Sequence, residues 1–275
     1  MNIQNLIIRS ATGLLFLVVM IAGILWHPYA YLALFTFIVG ATLCEYNKLM
    51  QSAFGLSTPT LLHGITGAAV FIVTVLVRWG LLPEKLILIM GLLAIIYAIS
   101  SLYNKQHNPL QSILYPFFGY LYILIPFTLS SHLAFPKSGE MTFTPYILLM
   151  VFVFIWISDS AAYFFGSLLG RHRLFERISP KKSWEGFVGG LLFAILSAYI
   201  ASLFLAQLSL AQWIGLSVVT VIAGTYGDLF ESFLKRTIAV KDSGTVLPGH
   251  GGLLDRFDAP LFAIPAAVAY LSIIL

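Results

Sequence analysis

The chain has 275 residues, of which 59% are hydrophobic and only 9% charged, with mean hydropathy +0.94 and a formal net charge of +4. Soluble domains carry about a quarter charged residues, so too little polar surface exists to cover a water-exposed globule, and an integral membrane protein without a soluble domain is expected. The single Cys44 excludes an internal disulfide framework and any zinc site of two or more thiolates, and the basic balance reads as insertion signalling rather than nucleic-acid binding.

Apolar runs bounded by polar or proline-containing breaks fall at 11–26, 29–47, 61–79, 86–103, 112–135, 145–170, 184–206, 209–230 and 259–275, nine candidate spans. The first follows Arg9 and ends in Trp26-His27-Pro28-Tyr29 with no small-residue cleavage site, so a retained helix rather than a signal peptide is expected. With nine spans, 12 of the 15 basic residues share the side of the N-terminus, and only Arg78, Lys85 and Lys137 lie opposite. The positive-inside rule then puts the N-terminus and the loops after the second, fourth, sixth and eighth spans in the cytoplasm. The expected fold is all-α, a polytopic bundle of about nine transmembrane helices. Residues 159–258 hold 17 of the 26 charged residues. Residues 1–144 therefore read as apolar scaffold, and residues 145–275 as the region that carries the chemistry.

Three polar clusters follow in chain order. The first runs from Ser158-Asp159-Ser160 through Gly170-Arg171-His172-Arg173 to Ser179-Pro180-Lys181-Lys182-Ser183-Trp184-Glu185-Gly186. Asp159 lies deep in apolar sequence, where an ionisable group is costly and reads as functional unless a cytoplasmic Arg or Lys pairs with it. Ser179-Pro180 reads as a helix start, with Ser as N-cap and Pro at the first position. Lys181 and Lys182 would then stand in the first turn, where the macrodipole disfavours cations unless an anion binds there. Free amides, two ammonium groups and Ser183 would cradle a polyphosphate; the plainer alternative is that the lysines only signal topology. Gly166-x-x-x-Gly170 and Gly186-x-x-x-Gly190 read as close helix packing.

In the second cluster Asp228, Glu231, Ser232 and Lys235 recur at i, i+3, i+4 and i+7 on one helix face, followed by Arg236. Two carboxylates one turn apart repel unless a cation stands between them. Either a hard ion on oxygen ligands, such as Mg²⁺, or Lys235 itself meets that need. The third cluster is Lys241-Asp242-Ser243-Gly244, then Pro248-Gly249-His250-Gly251-Gly252-Leu253-Leu254-Asp255-Arg256-Phe257-Asp258. Its glycines let backbone amides approach phosphate oxygens, and Asp255 and Asp258 again stand one turn apart. His250, between glycines, reads as a general base, a phosphate contact or a helix cap.

At these residues the sequence resembles the phosphatidate cytidylyltransferase (CDP-diacylglycerol synthase) family. The family's long C-terminal pattern is met without a gap from Ser232 to Asp258, and blocks at 159–166 and 179–186 match as well; Glu45-Tyr46 fits an acid–aromatic pair more loosely. The resemblance implies transfer of the cytidylyl group of CTP to phosphatidate, giving CDP-diacylglycerol and pyrophosphate. It further implies a Mg²⁺-dependent homodimer of the bacterial cytoplasmic membrane, with room for a monovalent cation such as K⁺. Carried onto this chain, it implies metal binding by Asp228 and Asp255, with Glu231 and Asp258 beside them, and catalytic roles for both of those aspartates with Lys235, Arg256 and His250. Substrate contacts would come from Asp159, Ser179, Lys181, Lys182, Ser183, Ser232, Arg236, Lys241, Asp242, Gly251 and Gly252. The rival reading of the same residues is a membrane transporter of ions or phosphorylated solutes, which also places charge at membrane depth.

Overall fold

The computed structural model describes residues 3–56, 59–88, 91, 99, 109–244 and 251–275. In chain order its helices are α1 (Ile3–Leu25), α2 (Pro28–Phe54), α3 (Thr60–Arg78), α4 (Leu110–Ala134), α5 (Tyr146–Leu169), α6 (Trp184–Phe204), α7 (Leu210–Thr237) and α8 (Leu254–Ile274). Strands β1 (Arg173–Phe175) and β2 (Ser179–Ser183) lie between α5 and α6. Among the described residues seven helices, α2 to α8, are long and apolar enough to cross a membrane, and α1 adds a shorter apolar stretch over Ser10–Leu25. The expected span at 86–103 falls largely outside the described residues. The chain is an all-α polytopic membrane protein. Large apolar side chains such as Phe204 and Ile273, more than four-fifths exposed, are what a bilayer rather than water would cover.

The chain divides into two compact units, Met1–Thr144 with Asp242–Arg256, and Pro145–Lys241 with Phe257–Leu275. In the first, α2 begins where His27 accepts the Tyr29 N–H on Nδ1 at 3.3 Å and Pro28 presets the first turn. It stops at Gly55, whose φ of +64° is the left-handed cap glycine tolerates. The buried rings of Tyr31, Phe35, Phe71, Phe127 and Phe135 pack together, and the Tyr31 hydroxyl shares a 2.7 Å hydrogen bond with Ser130 Oγ. Helix α4 loosens into a π-turn over Tyr120–Leu124. Pro126, two residues further on, has no N–H to return to the preceding turn.

In the second unit α5 and α6 approach backbone to backbone at the glycines singled out in the sequence. A Cβ on Gly186 would stand 2.7 Å from the Ala162 carbonyl oxygen, and one on Gly190 2.6 Å from that of Ser158. Helix α7 opens with a capping box between Ser209 and Gln212, and the buried Trp213 donates its indole N–H to the Leu205 carbonyl at 3.2 Å.

The expected helix start at Ser179 is corrected here. Ser179–Ser183 is a strand paired antiparallel with Arg173–Phe175, in the register Arg173↔Ser183 and Phe175↔Ser179. Lys181 and Lys182 therefore do not occupy a helical first turn. Helix α6 begins at Trp184, and its cap is Ser183, whose Oγ accepts the Gly186 N–H at 3.1 Å. Pro180 is tolerated because a two-stranded ribbon leaves alternate N–H positions unused.

Candidate active site

A cavity of about 300 Å³ opens in the second unit. Helix α5 lines it with Ser158, Asp159 and Tyr163, β2 with Lys181, Lys182 and Ser183, and α7 with Thr225 and Asp228; Leu174, Phe187 and Val221 supply apolar wall. Gly186 and Gly190, which let α5 and α6 meet, also line it. Five of the residues expected from sequence to contact substrate or metal, Asp159, Lys181, Lys182, Ser183 and Asp228, thus share one cavity.

Lys182 Nζ lies 2.6 Å from Asp228 Oδ2, and both side chains remain about a third exposed. The other oxygen, Oδ1, accepts the Ser232 hydroxyl at 3.3 Å from the next turn of α7. Glu231 turns into the protein, 1% exposed, and meets Lys235 Nζ at 2.5 Å. The two acids of this helix face meet separate lysines, Asp228 one from β2 and Glu231 one from their own helix, the partner the spacing also offered. Asp258, half-buried on α8, is within electrostatic reach of Asp228, Asp159 and Lys235, and accepts the N–H of Ala259 at 2.8 Å. At the edge of the hairpin, His172 donates its backbone N–H to Glu185 Oε1 at 3.1 Å, and its ring Nδ1 lies 2.6 Å from the same oxygen. This pair ties the hairpin to the first turn of α6.

The glycine loop belongs to the first unit. Asp255 accepts the N–H groups of Ser243 at 3.0 Å and Gly252 at 2.8 Å on Oδ2. Gly251 there has φ +79°. Glu45 of α2, buried at 6% exposure, accepts the N–H groups of Leu253 at 2.9 Å and Leu254 at 3.1 Å as well as the Ser243 hydroxyl. Glu45 was not among the residues expected to form the site, yet the reasoning applied to Asp159, an acid in an apolar span, would have found it.

Other expected residues stand elsewhere among those described. Ser179 opens β2, half-buried, while Arg236, Lys241, Asp242 and Arg256 are exposed near the ends of α7, the loop and the start of α8. His250 lies outside the described residues. For a metal, the donor set on and beside the cavity is all oxygen, Asp159, Asp228 and Asp258, which suits a hard cation. Among the described residues no three of His, Cys, Asp and Glu stand close enough to hold an ion by themselves. Mg²⁺ takes one or two carboxylates and completes its shell with water and phosphate oxygens, so carboxylate oxygens of this kind are the donors it would use.

Residues 7–274 match the model of the cytidylyltransferase family. The chain belongs to the cytidylyltransferase family. A phosphatidate cytidylyltransferase of Staphylococcus aureus (strain COL) is 46% identical over 120 residues, which cover 43% of this chain and 46% of that protein. Enzymes of the same name from Staphylococcus saprophyticus and Staphylococcus epidermidis are 44% and 47% identical over the same share. The alignment spans a little under half the length of these relatives.

Proposed function

We propose that this chain transfers the cytidylyl group of CTP to phosphatidate, leaving CDP-diacylglycerol in the membrane and releasing pyrophosphate. The observation that carries the reading is the cavity of the second unit, where Lys181, Lys182, Asp159 and Asp228 stand beside Leu174, Phe187 and the exposed ring of Tyr163. A substrate made of a charged phosphate on a diacyl body needs that combination of polar and apolar wall. The family match and the names of the relatives support it.

In this reaction an oxygen of the lipid phosphate bonds to the α-phosphorus of CTP, the bond from that phosphorus to the bridging oxygen breaks, and its electron pair leaves with pyrophosphate. The attacking phosphate is already ionised, so no side chain need remove a proton. The protein's task is alignment and charge neutralisation. Lys181 and Lys182 supply cations for the triphosphate, and Asp228, fixed through both oxygens, orients Lys182. Lys235, Arg236, Lys241 and Arg256 are further phosphate contacts on the family pattern. Mg²⁺, held by Asp228 with Asp159 and Asp258 in reach, would neutralise charge on the phosphate oxygens; the family pattern assigns metal to Asp255 too. A homodimer, a K⁺-type ion and residence in the bacterial cytoplasmic membrane follow from the same resemblance. The bias of basic residues turns the site toward the cytoplasm, where CTP is found.

The test is purified protein with labelled CTP and phosphatidate, with and without Mg²⁺. The expected result is a lipid-soluble cytidine product equal in amount to the pyrophosphate released and lost in chelator. Absence of that product in Mg²⁺ overturns the reading.

A further inference from the structure

We propose that Glu45 is a positioning residue, a buried carboxylate of α2 that pins the glycine loop to the start of α8 and thereby sets where Asp255 stands. What the loop contributes to turnover rests on the cytidylyl-transfer reading; how it is held rests on geometry alone. Glu45 takes hydrogen bonds from Ser243, Leu253 and Leu254, which lie 198, 208 and 209 residues further along the chain. Among the described residues no lysine or arginine pairs with it, and Lys48, one turn on, is exposed. A carboxylate in an apolar helix is costly unless donors surround it. Here the donors are a hydroxyl and the amides entering α8, the positive end of that helix.

The contact reaches Asp255 through one residue. Ser243 gives its hydroxyl to Glu45 and its backbone N–H to Asp255 Oδ2 at 3.0 Å. Gly252 donates to the same Asp255 oxygen at 2.8 Å. Two glycines of the loop are explained by Glu45 rather than by a phosphate. A Cβ on Gly244 would stand 2.8 Å from the Glu45 carboxyl carbon, and one on Gly252 would run into Glu45 Oε1 and Ser243 Oγ. The loop is glycine where it passes over this carboxylate.

Glu45→Gln keeps the side-chain volume but turns an NH₂ toward N–H donors that need an acceptor. Two readouts are expected to move together. The turnover number falls about 10²-fold, the scale of a misplacement near 1 Å, while KM for phosphatidate stays near wild type. In hydrogen exchange without substrate or metal, the amides of Ser243, Gly252, Leu253 and Leu254 exchange at least about 10-fold faster, while the rest of α2 and α8 keep their protection. Ser243→Ala, which removes one donor and leaves the amides in place, shifts both readouts the same way by less, and serves if the glutamine variant does not fold. Wild-type turnover in Glu45→Gln, unchanged exchange in the loop, or protection lost throughout α2 and α8 alike would overturn the proposal, the last marking a merely structural acid. If the wild-type chain itself makes no CDP-diacylglycerol, the functional reading falls, and the exchange comparison still decides whether Glu45 holds the loop.

Discussion

Lys182 reaches Asp228 across 2.6 Å with both side chains still partly open to their surroundings. Pairs of that kind contribute about 0–1 kcal/mol to stability, so Lys182→Ala should leave the amount of folded protein and its thermal midpoint nearly unchanged. If Lys182 meets the triphosphate, kcat/KM for CTP should fall by about 10²-fold, or about 2.7 kcal/mol of transition-state stabilisation; steady-state kinetics with CTP varied checks this, and unaltered kinetics would return the residue to topology signalling. Asp255 behaves differently because it already accepts two backbone N–H groups. Hydrogen bonds to a charged acceptor contribute about 1.5–3 kcal/mol each. Asp255→Asn should therefore melt lower than wild type even in chelator and should also lose at least about 10²-fold in turnover if it binds metal. Equal melting in chelator would show that the loop does not depend on this carboxylate.

Helices α5 and α6 meet where α6 presents glycine to the Ser158 and Ala162 carbonyls, and the approach is backbone on backbone. Gly190→Ala would drive a Cβ to 2.6 Å from the Ser158 carbonyl oxygen, which cannot swing aside as a flexible side chain would. Overpacking of this kind costs about 1–3 kcal/mol, so a lowered thermal midpoint and a reduced yield of folded protein are expected. Gly224→Ala is the control: its nearest new neighbour, Ala259 Cβ, lies at 3.5 Å, an ordinary contact, and the midpoint should barely move. The glycine spacing was legible because close packing needs only small residues one turn apart. The hairpin was not. Ser179-Pro180 carries the local signs of a helix start, but pairing with Arg173–Phe175 captures that backbone as strand and moves the cap to Ser183, a competition a local signal does not register.

Sidedness belongs to the whole molecule, since it depends on every basic residue together. Helix α5 has 24 residues, enough for about 36 Å at 1.5 Å per residue, and it separates Lys137 from His172. In a Cys44→Ala background, Lys137→Cys should react with a membrane-impermeant thiol reagent on intact cells, whereas His172→Cys should react only after the membrane is opened. Labelling of both positions from outside would overturn the orientation. The same experiment places the hairpin with Lys181 and Lys182 on one face of the membrane, the face on which CTP would arrive in the proposed reaction.

Composition and spacing determined that this chain lives in a membrane, that it is built of long apolar helices, and that its acids and bases crowd into residues 159–258. These are sums and local periodicities, and bilayer partition and helix geometry act on them directly. Tertiary structure alone decided that Asp159, Lys182 and Asp228, from three separate elements, line one cavity. It also decided that Asp228 pairs with Lys182, whereas the Glu231–Lys235 pair one turn apart was legible in the helix spacing, and that Glu45, in helices that read as scaffold, grips a loop some two hundred residues away. A buried charge takes whichever donor the fold brings within about 3 Å, and for Asp228 and Glu45 that donor comes from an element remote along the chain.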